Sequence, residues 1–413
     1  MKKRLWFALF LLSSVLSSVV YGGAFQLYSE SSTEAMSVSG AVIGRRGMIS
    51  NAWYNPAATG SIDKISVMGG VSALKLGIDY SSDAGDDSLQ NRIRPTGFFY
   101  GIIPVTPDLN FNLSINAPYG MITEWENDWI ENEMCTYTNL RAIYTTPSLT
   151  WQVTEELSLA AGVNLVYATA RLARNINLSA LGLGMNKIYM AADAYGIGGN
   201  LSVHYQLNPE WGFGVHYQSR VKLDFEGEAR YRREVNGPFV YLIEDDASTT
   251  ITLPASLGLG VANNSFNNLT LSFDAVWTEW STYADNNIKF DKRPGPGTPG
   301  TIEKKKDWCD VWSFRLGAEY ALTENWVLRC GYMYDIAPDN DRYRTPEMPD
   351  SDRNLFTIGA GYSNEKWGVD VGYGYLIFKD SKAGSAAGSV NHRTSGEYEA
   401  DLHVLSVAFK MFL

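Results

Sequence analysis

Arg174 is the residue whose type and position could do chemistry. In the segment from 157 to 177 one set of alternate positions is apolar, and the opposite set holds small and polar residues together with Arg174. A guanidinium on such a face can bind a carboxylate through two parallel hydrogen bonds. The alternative is a structural ion pair with an acid such as Asp274 or Glu319, and spacing alone favours that alternative.

The histidines give little indication of catalysis. All four are scattered along the chain: His204, His216, His392 and His403. A catalytic histidine needs a nucleophile and an orienting acid within hydrogen-bond reach, and no motif indicates such a group. Phosphate-binding, dinucleotide-binding and zinc-protease motifs are also absent from the sequence. We expect a protein that is not an enzyme and needs no cofactor or metal, with a Ser/His enzyme kept as an alternative.

The three cysteines are also widely spaced. Cys135, Cys309 and Cys330 form neither a metal motif nor a disulfide framework. A bridge between Cys135 and Cys309 is conceivable in an oxidising compartment, but free thiols are the favoured interpretation.

The N-terminus has the features of a secretory signal. Lys2, Lys3 and Arg4 precede a short apolar run, and Val20 and Gly22 satisfy the small-residue rule for cleavage. Residues 1–22 are therefore predicted to be a signal peptide. The formal net charge of the whole chain is −11, and loss of the leader makes it more negative. An acidic protein of this kind is a poor candidate for binding nucleic acid.

Alternation with period two dominates the rest of the chain. Trp312, Phe314, Leu316 and Tyr320 share one parity, while Gly317 belongs to the other. In an outer-membrane barrel the apolar parity faces lipid and the small or polar parity faces the lumen. We therefore predict that arginine at position 316 impairs assembly and that serine at position 317 is tolerated.

The chain organisation follows from this alternation. About 14 candidate strands begin near Ile65, Pro95, Leu109, Asn139, Leu157, Gly196, Trp211, Thr249, Leu269, Val311, Trp326, Asn354, Trp367 and Glu397. Short and long connections alternate, which is typical of bacterial barrels. The fold prediction is all-β: a transmembrane antiparallel β-barrel over residues 61–413. Residues 23–60, which do not alternate and contain Asn55-Pro56-Ala57, are either a disordered tail or a hatch inside the lumen.

Several short segments resemble one family of transporters. In chain order these are Ala24-Phe25-Gln26-Leu27, Asn55-Pro56-Ala57, Ala117-Pro118-Tyr119-Gly120-Met121, Ser219 to Gly227, Leu253 to Leu257, Trp277 to Ser281, Phe314 to Gly317 and Pro349 to Asn354. The chain resembles the FadL/TodX-like outer-membrane transporters of long-chain fatty acids and aromatic hydrocarbons. The matches span nearly the whole mature chain in order.

The resemblance implies a mechanism and a set of site residues. It implies an N-terminal hatch containing Asn55, Pro56 and Ala57, and lateral exit of substrate through the wall at a kinked third strand, near Pro118, Tyr119 and Gly120. It also implies that Phe25 and Arg174 contact the ligand, Arg174 by binding the carboxylate.

Two departures from the family pattern bear on these roles. The acidic pair of the family's hatch is replaced by Arg45, Arg46 and Gly47. A lysine that helps hold the carboxylate is replaced by Cys309, which has inward parity. Cys309→Lys is therefore expected to tighten oleate binding.

These features predict passive import of hydrophobic small molecules, with long-chain fatty acids ahead of aromatic or aliphatic hydrocarbons. A greasy solute gains free energy by passing from an apolar pocket to lipid without crossing bulk water. The expected partners are such a substrate and outer-membrane lipid, and the expected state is a monomer. A structural or adhesin-type barrel is the alternative of another class.

Overall fold

The computed structural model describes residues 25–26, 31–177, 179, 184–233, 240–292, 300–383 and 395–413, without the side chains of 232–233 and 240–243. The predicted signal peptide, residues 1–22, lies outside these ranges. No helix in the described ranges is long and apolar enough to cross a membrane.

Fourteen antiparallel strands in the described residues form one closed barrel. They are β1 Ser66–Ser82, β2 Ile93–Thr106, β3 Leu109–Glu124, β4 Tyr137–Gln152, β5 Leu157–Asn177, β6 Met185–Gln206, β7 Trp211–Gln218 with Val221–Arg233, β8 Val240–Leu253 with Ser256–Phe266, β9 Leu269–Thr278, β10 Val311–Ala321, β11 Trp326–Asp335, β12 Arg353–Ser363, β13 Trp367–Phe378 and β14 Gly396–Phe412. The last strand pairs with the first along its whole length, from Ser66 opposite Phe412 to Ser82 opposite Gly396. The predicted antiparallel barrel is confirmed, and pairing of the first and last strands joins the two outer edges of the sheet.

Two strands begin well before their predicted positions. β6 begins at Met185 and β8 at Val240, where the alternation predicts Gly196 and Thr249. Their additional outward residues mix charged side chains, for example Asp193 and Glu244, with apolar ones such as Met185 and Tyr195. These charges interrupt the apolar alternation, so the alternation does not mark where the strand begins.

The remaining elements are short. Near the N-terminus lie α1 Thr33–Met36, α2 Asn51–Tyr54 and a 3-10 turn Pro56–Thr59. The long loops contain the strands Gly85–Ser88, Ile288–Phe290, Thr301–Ile302 and Ser381–Ala383 and a 3-10 turn Trp280–Thr282. All of the long loops lie at one end of the barrel, and the short turns lie at the other.

The inner and outer faces follow the predicted parity. Leu316 is 53% exposed on the outer surface, whereas Ser313 and Arg315 are buried. The predicted tolerance of Gly317→Ser is wrong, however. A Cβ atom on Gly317 would lie 2.8 Å from Cβ of Val38, so this glycine lets the N-terminal segment pack directly against the wall.

The N-terminal segment, residues 31–62, lies against inward-facing groups of the barrel. The backbone amides of Val42 and Ile43 donate to Oδ2 of Asp274 at 2.8 and 2.9 Å. The side-chain amide of Asn55 donates to the carbonyl oxygens of Ile43 (2.7 Å) and Val203 (3.2 Å). Asn55, Pro56 and Ala57 are all buried, so this segment packs closely against the inward-facing side of the wall.

A buried chain of ion pairs fixes the segment to the wall. Asp370 is fully buried and contacts Arg329 at 2.6 Å and Lys410 at 2.7 Å. The chain runs through Glu34, Lys410, Asp370, Arg329, Glu319 and Arg45. Because Glu319 binds Arg45 and Arg329, and Asp274 binds backbone amides, the ion pair considered for Arg174 with either acid is not formed.

Candidate functional site

A cage of aromatic rings encloses Phe25. Its ring lies 4.8 Å from Trp280, 5.3 Å from Tyr283, 6.0 Å from Trp308 and 6.1 Å from Tyr119, measured between ring centroids. Phe25 is completely buried. Tilted and edge-on contacts of this kind stabilise an aromatic guest beyond the burial of its surface.

The wall is interrupted beside this cage. The ladder between β2 and β3 ends at the pair Phe99 and Ile115, although both strands continue. β3 then pairs only with β4, after a register shift between Asn116 and Tyr119 that leaves one additional residue in β3. Pro118 lies within this shift and has no amide hydrogen to donate to a ladder. We call the unpaired stretch between β2 and β3 the wall window.

Beyond the shift, β3 turns into the lumen. Every residue from 117 to 123 is buried, on both parities. Tyr119 and Met121 pack into the central apolar cluster with Phe25, whereas Ala117 and Ile122 pack into a second cluster near β1 and β14. This part of β3 therefore separates two apolar compartments.

The contacts that cover the wall window include one from the N-terminal part of the chain and one at the long-loop end. Gln26 forms a backbone bridge with Tyr119 and so supplies an edge for β3 from inside the barrel. At the long-loop end, Arg94 of β2 contacts Glu124 of β3 at 2.6 Å. The window is thus closed by side chains and by the backbone of Gln26, and not by a ladder between the two strands.

A cluster of cations lies over the aromatic cage, between the long loops. The Glu347 carboxylate contacts Nζ of Lys304 and lies 3.5 Å from Nζ of Lys306. Lys306 also donates to the Thr345 hydroxyl at 2.7 Å. Arg174 is close enough to lower the pKa of Glu347, and its Nε is buried with no hydrogen-bond partner among the described residues. Arg174, Lys304, Lys306 and Glu347 are the cation cluster.

The charged groups of this cluster are buried or half-buried. Lys306 is 3% exposed, and burial lowers its pKa although Glu347 acts in the opposite direction. Burial alone would raise the pKa of Glu347, but Lys304 and Lys306 outweigh it and hold that pKa at about 2. Glu347 is therefore ionised throughout the physiological pH range.

The cation cluster adjoins apolar space. Trp308, two residues after Lys306, belongs to the aromatic cage, and Met348 is buried in the same central cluster. An apolar pocket is lined by Leu172, two residues before Arg174 on β5, and by Ile288 of the long loop. Buried cations beside apolar surface can hold an amphipathic anion.

The predicted site residues are only partly brought together. Phe25 and Tyr119 share the aromatic cage, and Arg174 belongs to the cation cluster. Cys309 is exposed, and its thiol contacts the carbonyl oxygen of Pro338 at 3.5 Å. Cys135 is buried, and both thiols are free, so the bridge considered between them is not formed.

Sequence reasoning missed Lys304 and Glu347. The run Lys304-Lys305-Lys306 lies in a long loop without strand alternation, where parity assigns no direction to a side chain. Glu347 lies in a second loop far along the chain. The only available signal was three adjacent lysines in an otherwise acidic protein, and that pattern usually indicates a solvated surface.

The described histidines form no catalytic group with serine and an acid. His216 is buried with both ring nitrogens unpaired, and His204 contacts the carbonyl oxygen of Gly44 at 3.2 Å. His403 contacts Tyr373 and Asp401. Within the described ranges no three His, Cys, Asp or Glu residues are placed to hold a metal ion.

Known proteins resemble this chain over most of its length. It is 27% identical to outer membrane protein P1 of Haemophilus influenzae over 357 residues, covering 78% of this chain and 76% of that protein. It is 24% identical to the long-chain fatty acid transport protein of Escherichia coli K12 over 411 residues, covering 88% and 90%.

Solved structures share the fold. A FadL homologue from Pseudomonas aeruginosa superposes with a TM-score of 0.83 at 21% identity, covering 94% of this chain and 99% of that one. The P. putida toluene transporter TodX gives 0.75 at 17% identity, covering 95% and 99%. The family model described as outer membrane protein transport protein (OMPP1/FadL/TodX) matches residues 13–412. With this match and a closed barrel, the chain belongs to the OMPP1/FadL/TodX family of outer-membrane proteins that transport hydrophobic compounds.

Proposed function

We propose that the protein imports long-chain fatty acids passively, by lateral diffusion through the wall window. The observation that carries this proposal is the cation cluster, buried or half-buried next to the apolar interior: Lys304 and Lys306 contact the Glu347 carboxylate, and Arg174 lies close enough to act on its charge. Burying these cations costs free energy. An ionised head group offsets that cost by pairing with them through charge-assisted hydrogen bonds, whereas a neutral hydrocarbon does not.

The route begins at the long-loop end. The head group binds among the cations while the acyl chain enters apolar space near Leu172 and the aromatic cage. Displacement of Phe25 and Gln26 then frees the edge of β3, and the chain passes through the wall window into the bilayer. Transfer between apolar surroundings needs no energy source, because the substrate never has to cross bulk water. The N-terminal segment acts as the hatch of this route, and the barrel works as a monomer, since its first and last strands pair within one chain.

We propose that Lys306 supplies the second cation for the carboxylate, and that position 309 does not. Its amine is buried beside Glu347, whereas the Cys309 thiol is exposed and contacts Pro338. Cys309→Lys is therefore expected to leave oleate affinity within about threefold of wild type, which revises the expectation from sequence parity.

Arg174→Ala is expected to weaken oleate binding by roughly 10- to 150-fold, because a charge-assisted hydrogen bond contributes about 1.5–3 kcal/mol. The affinity for an uncharged hydrocarbon of similar length should change little. Fluorescence displacement in an uncharged detergent measures both ligands. The matched control is Arg171→Ala, on the same strand but facing outward and paired with Asp193. An unchanged oleate-to-hydrocarbon ratio in Arg174→Ala would show that Arg174 does not bind the carboxylate.

Deletion of Pro118 is expected to close the wall window. One additional residue separates Asn116 from Tyr119 relative to β4, so removing it restores a continuous register and lets β3 extend its ladder along β2. Uptake of labelled oleate by cells that lack another importer should fall to background, while oleate binding by the purified protein is retained. The control Pro118→Ala keeps the chain length and should keep most of the uptake. Normal uptake by the deletion variant would place the exit elsewhere.

An aromatic hydrocarbon is the second candidate substrate. The cage around Phe25 supports it, because four rings already surround one phenyl group. The Arg174→Ala comparison separates the two candidates, since a toluene-like ligand has no charge for Arg174 to bind. An adhesin-type barrel that transports nothing would not bind either ligand saturably.

A further inference from the structure

Glu347 occupies the position that the proposed function assigns to the substrate head group. Its carboxylate accepts a hydrogen bond from Lys304, lies 3.5 Å from Lys306 and receives the Thr345 hydroxyl at 3.3 Å. The side chain is 12% exposed. Two lysines contact one acid here, Arg174 is close enough to act on its charge, and Asp339 acts on Lys306 from further away.

Glu347 belongs to a tight turn in the loop between β11 and β12. Thr345 and Met348 form a backbone bridge across it, and Met348 is buried in the central apolar cluster. The turn therefore places the Glu347 carboxylate among the cations and the Met348 side chain in the central apolar cluster. A fatty acid likewise combines an anionic head group with an apolar chain.

The same turn is bonded to the free part of β3. The Thr123 hydroxyl donates to the carbonyl oxygen of Glu347, and Nε1 of Trp125 donates to that of Pro346, both at 3.1 Å. Thr123 lies in the part of β3 that has no ladder with β2. A displacement of Glu347 thus acts directly on the strand that forms one edge of the wall window.

We propose that Glu347 is a built-in competitor of the substrate carboxylate, and that its exchange for an ionised head group releases the 345–348 turn from the end of β3. This inference rests on the proposed function. While the wall window is closed, Glu347 neutralises part of the positive charge of the cation cluster and keeps the 345–348 turn bonded to the end of β3. An incoming carboxylate either displaces it or is repelled by it, and both events weaken the binding of an acid relative to a neutral ligand.

Glu347→Gln tests this exchange, because it removes the charge and keeps the shape. The probes are oleate and oleyl alcohol, which share a chain and differ in charge, measured by fluorescence displacement on the full-length mature protein in an uncharged detergent. Oleate affinity should rise at least tenfold, and oleyl alcohol affinity should stay within threefold. Glu303→Gln, an exposed acid next to the cation cluster in sequence, should change neither.

Glu347→Asp is the second variant and guards against a change in folding. It retains the charge, so oleate affinity should stay within about threefold of wild type. An equal rise in oleate affinity in Glu347→Asp and Glu347→Gln would overturn the competitor role, and so would no rise in Glu347→Gln. The proposed function remains intact in either case if the wild-type protein binds both probes. If wild-type protein binds neither probe, the proposed function fails and this inference fails with it.

Discussion

Asp370→Asn should destabilise the barrel and release the N-terminal segment. Asp370 is fully buried between Arg329 and Lys410. Loss of its charge leaves two buried cations short of a counter-ion, and breaking a buried pair in this way costs about 3–5 kcal/mol. We expect the heat-induced unfolding of the detergent-solubilised barrel, followed by gel mobility, to shift to clearly lower temperature. Protease should also cleave residues 31–62 more rapidly.

The control for this variant lies at the short-turn end. Glu365→Gln removes an exposed acid from the turn before β13, so it changes net charge equally without affecting the buried chain. Its unfolding temperature and cleavage rate should match wild type. Equal behaviour of Asp370→Asn and Glu365→Gln would mean that the ion-pair chain does not fix the segment.

Leu316→Arg should sharply reduce the yield of folded barrel. Leu316 is the central residue of β10 and is 53% exposed on the outer face. Arginine at the bilayer midplane of a barrel costs roughly 2–4 kcal/mol, and the cost falls to about 0–1 kcal/mol near the interfaces. Folding into lipid vesicles from urea, measured by the fraction of protein with folded-barrel mobility, gives the difference.

Leu322→Arg is the matched comparison. Leu322 immediately follows β10, is 56% exposed and has the same parity as Leu316. Since it lies at the rim, its arginine should be nearly neutral. Similar losses in both variants would contradict a depth-dependent lipid contact and therefore the position of the apolar band.

The wall of the barrel could be predicted from sequence because lipid imposes a strict period on each strand. Outward positions such as Phe314 must be apolar, and inward ones such as Ser313 are free to be polar. The contents of the lumen follow no such rule. Gly317 has lumen parity and looks permissive, yet Val38 packs directly against it. Contacts between segments more than 200 residues apart leave no local pattern.

The candidate site was predictable where a strand carries it. Arg174 is on β5, so the parity of that strand predicted the direction of its side chain. The ion pair that was considered for it, with Asp274 or Glu319, is the part that was wrong. Lys306 and Glu347 come from two different loops, where direction depends on how the loops pack against one another. Cys309 illustrates the limit: it lies just before β10, and the parity of that strand does not extend to it.

The contacts of the N-terminal segment also determine when it can become ordered. Glu34 binds Lys410, 376 positions away, and Thr33 shares a hydrogen bond with Ser406. Both partners belong to β14, the strand that closes the cylinder against β1. The beginning of the chain can therefore be secured only after the end has been synthesised and inserted. A chain shortened at its C-terminus would therefore lose barrel closure and the attachment of the N-terminal segment together.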